Sequence, residues 1–408
     1  MNILWHSLLI VRTLLGIGLI AFCGYTLSAM WAAWQWRHSV RPLNPRWTPA
    51  VTIFKPVCGV DAEAYDNFAS YCKLDYPTGR FQILFGALDA DDPAIELVHR
   101  LQKENRHLDI GIVVGKQILR PGNNLKVCNL LNMQTEAKHD LFVLCDSDMR
   151  VKSDYLRRIT APFEPGFSLT RRRSESISPE QPVGMVTCPY RGCRVQSIAA
   201  ILESLGIGAD FIPSTLVSRA FEGVSFALGS TIVVPRNILS ELGGFEILLD
   251  ELADDFLLGN GASQAGYEVV ISDYVVDDVL GRESLPLMWA RRLRWARTVR
   301  AYRPIGYLGA GVLHGIAMAI AFLTAMGFSS EGWMVLFITI AFRILSAICI
   351  TQIWTDDPNV LRFWPLLPLS DLLTFTLYLA SFLGNRITWR GVSFKLLPGG
   401  RIERLTPN

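Results

Sequence analysis

The pattern of hydrophobic and polar positions divides the chain into apolar ends and an alternating middle. Residues 8–36 form a continuous apolar run that is longer than the ~20 residues needed to cross a bilayer. Residues 308–328 and 333–354 are each long enough for one crossing, and a third apolar run, 361–383, is interrupted by two prolines and an aspartate. This pattern predicts a multi-pass membrane protein with membrane segments on both sides of a large polar domain.

The middle of the chain, from residue 51 to about residue 303, alternates short β-rich runs with stretches of helical spacing. Within residues 94–105, Ile95, Val98 and Leu101 fall on one face of a helix. Alternating strands and helices predict an α/β domain with a mostly parallel sheet that is covered on both faces. The clearest strand-like runs are residues 51–54, 81–85, 110–114 and 141–145.

Basic residues set the expected orientation in the membrane. Arg37, Arg41 and Arg46 follow the first apolar run, and a second basic group lies within 386–404, so both flanks are expected in the cytoplasm. Three full crossings after the domain would leave the C-terminus outside, so the proline-interrupted run is expected to be re-entrant or interfacial. The expected boundaries are an N-terminal transmembrane helix (1–36), a cytoplasmic domain (37–303) ending in a basic interfacial helix (286–303), membrane segments (304–385) and a basic C-terminal tail (386–408).

Two details of the apolar runs give further expectations. Trp31, Trp34 and Trp36 are expected to form an aromatic belt at the membrane boundary. Arg343 lies in mid-run, where an isolated charge is costly, and we expect it to pair with Asp371.

The composition narrows the class of protein. Half of the 408 residues are hydrophobic and the mean hydropathy is +0.28, which is too apolar for an ordinary soluble protein. The net charge is only +2, so no nucleic-acid partner is expected. Eight scattered cysteines without CxxC spacing indicate a reducing compartment and no disulfide framework. The polar segment 167–182 is expected to be an exposed loop.

Several common catalytic motifs are missing from the sequence. It contains no Walker A loop, no Rossmann GxGxxG, no HExxH and no GxSxG. The sequence therefore offers no basis for nucleotide hydrolysis, redox chemistry or serine hydrolysis.

Asp146-Ser147-Asp148 directly follows the strand-like run 141–145. The carboxyl ends of parallel strands are where open α/β sheets bind their ligands. Two carboxylates one residue apart can hold a hard divalent cation, Mg²⁺ or Mn²⁺, that bridges to substrate phosphates. An aspartate in a turn at a strand end is the simpler interpretation of this motif taken alone.

Two more acidic clusters accompany this motif. Asp89-Ala90-Asp91-Asp92 follows the strand-like run 81–88 and is expected at the same edge, although Asp92-Pro93 is also typical of a helix start. The second cluster, residues 250–256, precedes a helical stretch. Its acidic residues suit either a helix N-terminus or a general base that removes a proton from an acceptor hydroxyl.

Basic residues suited to phosphate lie close to the second membrane region. Arg291, Arg294 and Trp295 belong to a run of arginines that predicts either an interfacial helix facing lipid headgroups or a site for a diphosphate leaving group. Lys126, in Gly122-Asn123-Asn124-Leu125-Lys126, is a candidate phosphate contact, although a surface lysine is the ordinary interpretation.

In this order, these elements resemble the ceramide glucosyltransferases of family 21. Six matching segments carry the resemblance, which spans residues 51 to about 303. The matching segments are Phe54-Lys55-Pro56 with Gly59-Val60-Asp61, Leu74-Asp75-Tyr76-Pro77 with Asp91-Asp92-Pro93-Ala94, Cys145-Asp146-Ser147, and Ala253-Asp254-Asp255-Phe256 with Arg291-Arg292-Leu293-Arg294-Trp295.

The resemblance implies a GT-A catalytic domain that transfers a hexose from a UDP-sugar to a lipid hydroxyl with inversion. It implies donor binding by Asp92, Asp146, Lys126, Arg291, Arg294 and Trp295, a cation on Asp146 and Asp148, and Asp255 as the catalytic base. Asp148 stands where the eukaryotic ceramide enzymes have glycine. Gly229-Ser230-Thr231 and Gly243-Gly244-Phe245 are more similar to a bacterial branch that includes hopanoid glycosyltransferases.

Several functions therefore stay open at this stage. Ceramide with UDP-glucose is one substrate pair, and a hopanoid with UDP-N-acetylglucosamine is another, in the bacterial inner membrane. A processive polysaccharide synthase would need more spanning helices for a channel. A non-catalytic membrane protein that only binds nucleotide sugar is the alternative from a different class.

Overall fold

A computed structural model describes residues 2–38, 43–115, 122–166 and 181–405. The α-helices in these ranges are α1 Asn2–Arg37, α2 Ala64–Ser70, α3 Ala94–Glu104, α4 Leu125–Gln134, α5 Tyr155–Thr160, α6 Ile198–Gly206, α7 Ile212–Phe221, α8 Arg236–Glu241, α9 Asp254–Gln264, α10 Leu285–Tyr302, α11 Pro304–Gly309, α12 Gly315–Ala325, α13 Ser330–Trp354, α14 Pro358–Phe363 and α15 Leu367–Ser381. The strands are β1 Val51–Val57, β2 Phe81–Ala87, β3 Asp109–Val114, β4 Leu141–Cys145, β5 Met149–Arg150, β6 Val183–Thr187, β7 Tyr190–Cys193, β8 Thr231–Pro235, β9 Glu268–Ile271, β10 Val276–Val279, β11 Arg386–Trp389, β12 Val392–Leu396 and β13 Ile402–Arg404. Most of the predicted loop 167–182 lies outside the described residues.

The central sheet has the strand order β3-β2-β1-β4-β8-β6-β9. β1 to β4 are parallel to one another, β8 is antiparallel to both β4 and β6, and β9 is parallel to β6. The residues that follow β1, β2 and β4 therefore share one edge of the sheet. The predicted α/β fold class with a mostly parallel sheet is confirmed.

Both faces of this sheet are buried. Successive residues of β1 alternate between two apolar clusters, with Ile53 in one and Phe54 in the other. β2 is buried at all seven positions, as expected for a central parallel strand. Such runs identify strands from sequence alone, and the predicted run 141–145 has the bounds of β4.

Helices at both ends of the chain are suited to a membrane. α1 has 36 residues, a length of about 54 Å at 1.5 Å per residue, and it packs on α7, α12 and α13. Four helical stretches in the described ranges are long and apolar enough to cross a membrane. One of them, Ile198–Phe221, is largely enclosed by the protein and contains a π-helical turn at Ile207–Phe211.

Two of the expected membrane segments are not straight. Helices Pro304–Leu313 and Gly315–Ala325 meet at a bend of 60°. The proline-interrupted run 361–383 is divided between α14 and α15 by a short 3₁₀ turn, Trp364–Leu366. The prolines explain this break, because proline cannot donate the backbone hydrogen bond that continues a helix.

The expected aromatic belt is found only in part. Trp31 and Trp34 are about half exposed, whereas Trp36 is buried. The Arg219 guanidinium lies 4.3 Å from the Trp36 ring centroid. Trp36 is therefore part of the contact between α1 and α7 rather than a lipid-facing anchor.

The expected pairing of Arg343 with Asp371 is present. Arg343 Nε and Nη2 donate to the two Asp371 carboxylate oxygens at 2.8 and 2.9 Å. Arg343 Nη2 also donates to Asp210 at 2.6 Å, and Nη1 donates to the Ala209 carbonyl. This network ties α13 and α15 to the π-helical turn.

The C-terminal segment, expected as a basic tail, contains a folded antiparallel sheet of β11, β12 and β13. Leu252 N donates to the Gly400 carbonyl, and Ile402 N donates to the Asp250 carbonyl. Tyr302 at the end of α10 donates to Glu251. The sheet is thereby attached to the acidic segment 250–255.

Candidate active site

The turn after β4 places Asp146, Ser147 and Asp148 at the carboxyl edge of the sheet. Beneath it, the buried Lys55 of β1 donates to the Asp146 carbonyl at 2.6 Å. Burial lowers the pKa of Lys55 to about 8, against the opposing effect of nearby acidic groups. Lys55 therefore fixes the backbone of the turn rather than facing a substrate.

Lys126 joins two of the acidic clusters. Its ammonium lies 2.9 Å from Asp146 Oδ1 and 3.1 Å from Asp254 Oδ2. Burial opposes its charge, but the carboxylates of Asp146 and Asp254 outweigh this and raise the pKa of Lys126. Lys126 is therefore a cation held within the acidic site and not an ordinary surface lysine.

Close packing of the segment before α4 puts Lys126 in this position. A Cβ on Gly122 would lie 2.4 Å from the Leu249 carbonyl oxygen, so only glycine fits there. Asn123 donates from both its backbone and its side chain to Asp250. Asn124 caps α4 by accepting from Val127 N, and its amide donates to the Glu251 carbonyl.

Asp146 and Asp255 converge at Gly229. A Cβ built on Gly229 would lie 3.1 Å from Asp255 Oδ2 and 3.3 Å from Asp146 Oδ2. Burial and the adjacent Asp254 charge raise the pKa of Asp255 to about 6, although Lys126 partly opposes this. Such a pKa suits a carboxylate that must accept a proton near neutral pH.

Asp92 lies at the same edge but uses its carboxylate locally. Asp92 Oδ1 accepts from Ala94 N at the start of α3, and Oδ2 accepts from Gly59 N. The structure therefore contains the hydrogen bond that is expected of an aspartate at a helix start. Two residues after Gly59, Asp61 accepts from the Ser147 hydroxyl at 2.6 Å, so the loop 58–61 joins Asp92 to the Asp146 turn.

The predicted donor-binding residues of α10 occupy different environments. Arg291 donates to Glu283 at 2.7 Å and lies 3.4 Å from Glu203, so its guanidinium is already paired. Arg294 lies 5.3 Å from the Trp389 ring centroid. Burial and the charge of Arg291 lower its pKa to about 10, and Asp255 and Asp146 oppose this shift. Trp295 lies beside the Arg291 guanidinium.

The two proposed cation ligands, Asp146 and Asp148, lie in an environment that favours a bound cation. Asp148 Oδ1 is buried without a hydrogen-bond partner. Burial and the charges of Asp146 and Asp61 raise the pKa of Asp148 to about 6. A cation would relieve both conditions, so Asp146 and Asp148 fit one. Among the described residues, no group of three His, Cys, Asp or Glu side chains could hold a metal ion. The two aspartates would therefore share the ion with oxygen atoms of the substrate.

Some residues at this edge were not predicted from the sequence. Asp278 on β10 is buried, and burial and the Asp148 charge raise its pKa. Arg390, between β11 and β12, donates to both oxygens of Asp61 at 2.8 and 3.2 Å. No local motif marks either residue, because strand pairing and the C-terminal sheet bring them to the site.

Comparison with known proteins gives consistent matches. Ceramide glucosyltransferase 1 of Caenorhabditis elegans is 24% identical over 395 residues, covering 94% of this chain and 79% of that protein. Ceramide glucosyltransferase 3 of the same organism is 23% identical, covering 96% and 83%. Among solved structures, a mannosyltransferase from Pyrobaculum calidifontis in complex with GDP-Man and Mn²⁺ shows 16% identity and a TM-score of 0.49, covering 90% of this chain and 99% of that one.

The family model described as glycosyl transferase family 21 matches residues 14–402, nearly the whole chain. It includes the membrane helices and the C-terminal sheet as well as the α/β domain. The mostly parallel α/β fold is present as predicted, and helices long and apolar enough to cross a membrane lie on both sides of it. The chain therefore belongs to glycosyl transferase family 21, as its motifs predicted, and is a membrane-bound glycosyltransferase.

Proposed function

We propose that this protein transfers a hexose from a UDP-sugar to the hydroxyl of a membrane lipid, with inversion, as a ceramide glucosyltransferase-like enzyme. One observation carries the proposal: carboxylates from distant segments converge at one edge of the sheet. Asp146 and Asp254 both contact Lys126, and Asp146 and Asp255 approach each other at Gly229. The ceramide glucosyltransferases among its relatives support the lipid acceptor.

Asp255 is the proposed general base. It takes the proton of the lipid hydroxyl as that oxygen bonds to the anomeric carbon and the bond from this carbon to the UDP oxygen breaks. Its raised pKa and its position opposite Asp146 support this role over that of Asp254, which is paired with Lys126. A single displacement of this kind inverts the anomeric configuration.

The donor lies along the edge from Asp92 to α10 in this proposal. In it, Asp92 and the loop 58–61 border the uridine, and Lys126 and Arg294 contact the diphosphate. Arg291, paired with Glu283 and Glu203, and the adjacent Trp295 border the diphosphate from the same helix. Asp146 and Asp148 would hold Mg²⁺ or Mn²⁺, which neutralises negative charge on the diphosphate as UDP departs.

The path of the chain supports a membrane topology. β11 to β13 follow the last membrane helix and bond to residues 250–252 of the α/β domain. The chain therefore leaves this domain after α10 and returns to the same side, which requires an even number of crossings. α13 is long enough for one crossing, so one of its two neighbouring segments, 304–325 or 358–381, crosses and the other is re-entrant or interfacial.

The basic residues after α1 place the α/β domain in the cytoplasm, and a bacterial inner membrane is the proposed location. The proposed parts of the chain are the N-terminal transmembrane helix (1–36), the catalytic domain (37–303) and the membrane segments (304–385). The described C-terminal residues, 386–405, are an addition to the catalytic domain rather than a free tail.

Product identification tests the proposal. Detergent-solubilised protein is incubated with UDP-glucose, UDP-galactose or UDP-N-acetylglucosamine and with ceramide, hopanoid or diacylglycerol acceptors, and products are identified by mass spectrometry. Hexosylceramide from UDP-glucose is expected. A hopanoid carrying N-acetylglucosamine would favour the bacterial-branch alternative, which the Asp148 and Gly229-Ser230-Thr231 positions suggest. No lipid product from any pair, with UDP-sugar binding intact, would support a non-catalytic role.

A further inference from the structure

We propose that Arg390, at the tip of the β11–β12 hairpin, is a donor-binding residue that contacts the diphosphate of the UDP-sugar. The inference rests on the proposed function and adds a residue of the C-terminal sheet to its site. Three independent observations carry it: the position of the hairpin tip, its backbone conformation, and the unused hydrogen-bonding capacity of the guanidinium.

The hairpin tip is held beside the acidic turn. Arg390 donates to both oxygens of Asp61, and Asp61 accepts from Ser147, the residue between the two proposed cation ligands. The preceding residue, Trp389, stacks against Arg294 of α10. The tip thus contacts both the acidic turn and the arginine helix, the two elements between which the diphosphate is proposed to lie.

The backbone of the turn is unfavourable for arginine. Trp389 pairs with Val392, which leaves Arg390 and Gly391 as a two-residue turn with φ of 47° and 78°. Such turns favour Asn, Asp or Gly at the first central position, because side chains with a Cβ disfavour positive φ. Arginine here costs stability, and residues held in such conformations cluster at functional sites.

The ion pair between Arg390 and Asp61 is partly exposed, since the two side chains are 44% and 21% accessible. Its two hydrogen bonds stabilise the hairpin tip, but partial exposure keeps this contribution below that of a buried pair. The pairing therefore orients the guanidinium at this turn and uses only some of its donors.

The guanidinium retains hydrogen-bonding capacity toward a ligand. Arginine has five N–H donors, of which Asp61 accepts two. No other hydrogen-bond acceptor lies on Arg390 within the ranges that the structure describes. A planar guanidinium with free donors beside an acidic turn suits a diphosphate, which it can bind in a bidentate manner.

The experiment compares Arg390→Gly with Arg390→Lys in the full-length protein, in a nonionic detergent, with no lipid other than the ceramide acceptor of the transfer assay. The affinity for UDP is measured by calorimetry, and the affinity for uridine is measured from its inhibition of transfer. Stability is measured by thermal unfolding. Lys395→Ala is the matched control, since Lys395 is an exposed cation on the same hairpin.

Arg390→Gly is expected to weaken UDP binding about 10- to 100-fold, the size of one or two charge-assisted hydrogen bonds. The inhibition of transfer by uridine should differ from that of the wild type by no more than about twofold, because uridine has no phosphate and the variant loses only the phosphate contact. The unfolding temperature should be unchanged or higher, because glycine suits the turn. Arg390→Lys should restore part of the affinity, and Lys395→Ala should match the wild type.

Two results would overturn the inference. UDP affinity of Arg390→Gly equal to that of the wild type would remove the diphosphate contact. Equal weakening of UDP and uridine with a lower unfolding temperature would assign Arg390 a structural role. If the wild-type protein bound no UDP at all, the proposed function itself would fail first.

Discussion

Replacing Arg343 by leucine removes the cation from a buried network that connects the membrane helices. Arg343 and Asp371 are 7% and 6% exposed at their side chains and share two hydrogen bonds. Asp210, the third member, accepts a further bond from Arg343 and one from Thr374. Arg343→Leu therefore leaves the Asp371 carboxylate buried without its counter-ion.

The expected cost follows from this burial. Removing one partner of a buried ion pair typically costs about 3–5 kcal/mol, because the remaining charge is uncompensated. Replacing both partners by apolar residues costs much less and is often neutral. The double variant Arg343→Leu/Asp371→Leu is thus expected to be more stable than Arg343→Leu alone, although Asp210 still loses one bond.

Thermal unfolding of the purified variants in one detergent, at one scan rate, measures this difference. Because membrane proteins commonly unfold irreversibly, the half-life of activity at a fixed temperature serves as a second readout. Arg362→Leu, at the end of α14, is a control for loss of an arginine at the membrane. Wild-type stability and activity of Arg343→Leu would refute the reasoning, as would a double variant that is less stable than both single variants.

Three further outcomes are expected at the active site. Gly229→Ala should lower kcat about tenfold or more, because the added Cβ displaces the Asp146 and Asp255 carboxylates. Gly261→Ala on α9 is the control and should leave kcat unchanged, because its Cβ would make an ordinary contact at 3.7 Å. The acidic limb of the kcat/KM profile should lie near pH 6, since Asp255 with a pKa of about 6 must be deprotonated, and Lys126→Met should move it to higher pH. A limb near pH 4 would exclude Asp255 as the base. Excess EDTA should abolish transfer and added Mn²⁺ or Mg²⁺ restore it; activity unchanged by EDTA would remove Asp146 and Asp148 as ligands.

The sequence predicts the parts of this protein that depend on local patterns. Buried parallel strands such as β4 are continuous apolar runs, so their ends, and the Asp146-Ser147-Asp148 turn, are evident before the structure is known. The pairing of Arg343 with Asp371 follows from the high cost of an isolated charge in a membrane segment.

Other parts depend on contacts between distant segments. β11 and β12 are short, and their exposed faces are basic, so their composition is typical of a solvated tail. Only docking on residues 250–252 makes them a sheet and brings Arg390 to Asp61. In the same way, no local signal shows that Glu283 and Glu203 hold Arg291, or that Lys126 is paired with two aspartates.

If Asp255 is the base, the Asp255→Asn variant should lose transfer while its donor site still binds UDP. UDP binding by the purified variant, measured by calorimetry, and lipid glycosylation, followed by mass spectrometry, are compared with the wild type. We expect UDP affinity within about threefold of the wild type and transfer reduced at least about 100-fold, the lower range for loss of a general base. Transfer at the wild-type rate by Asp255→Asn would contradict this role of Asp255.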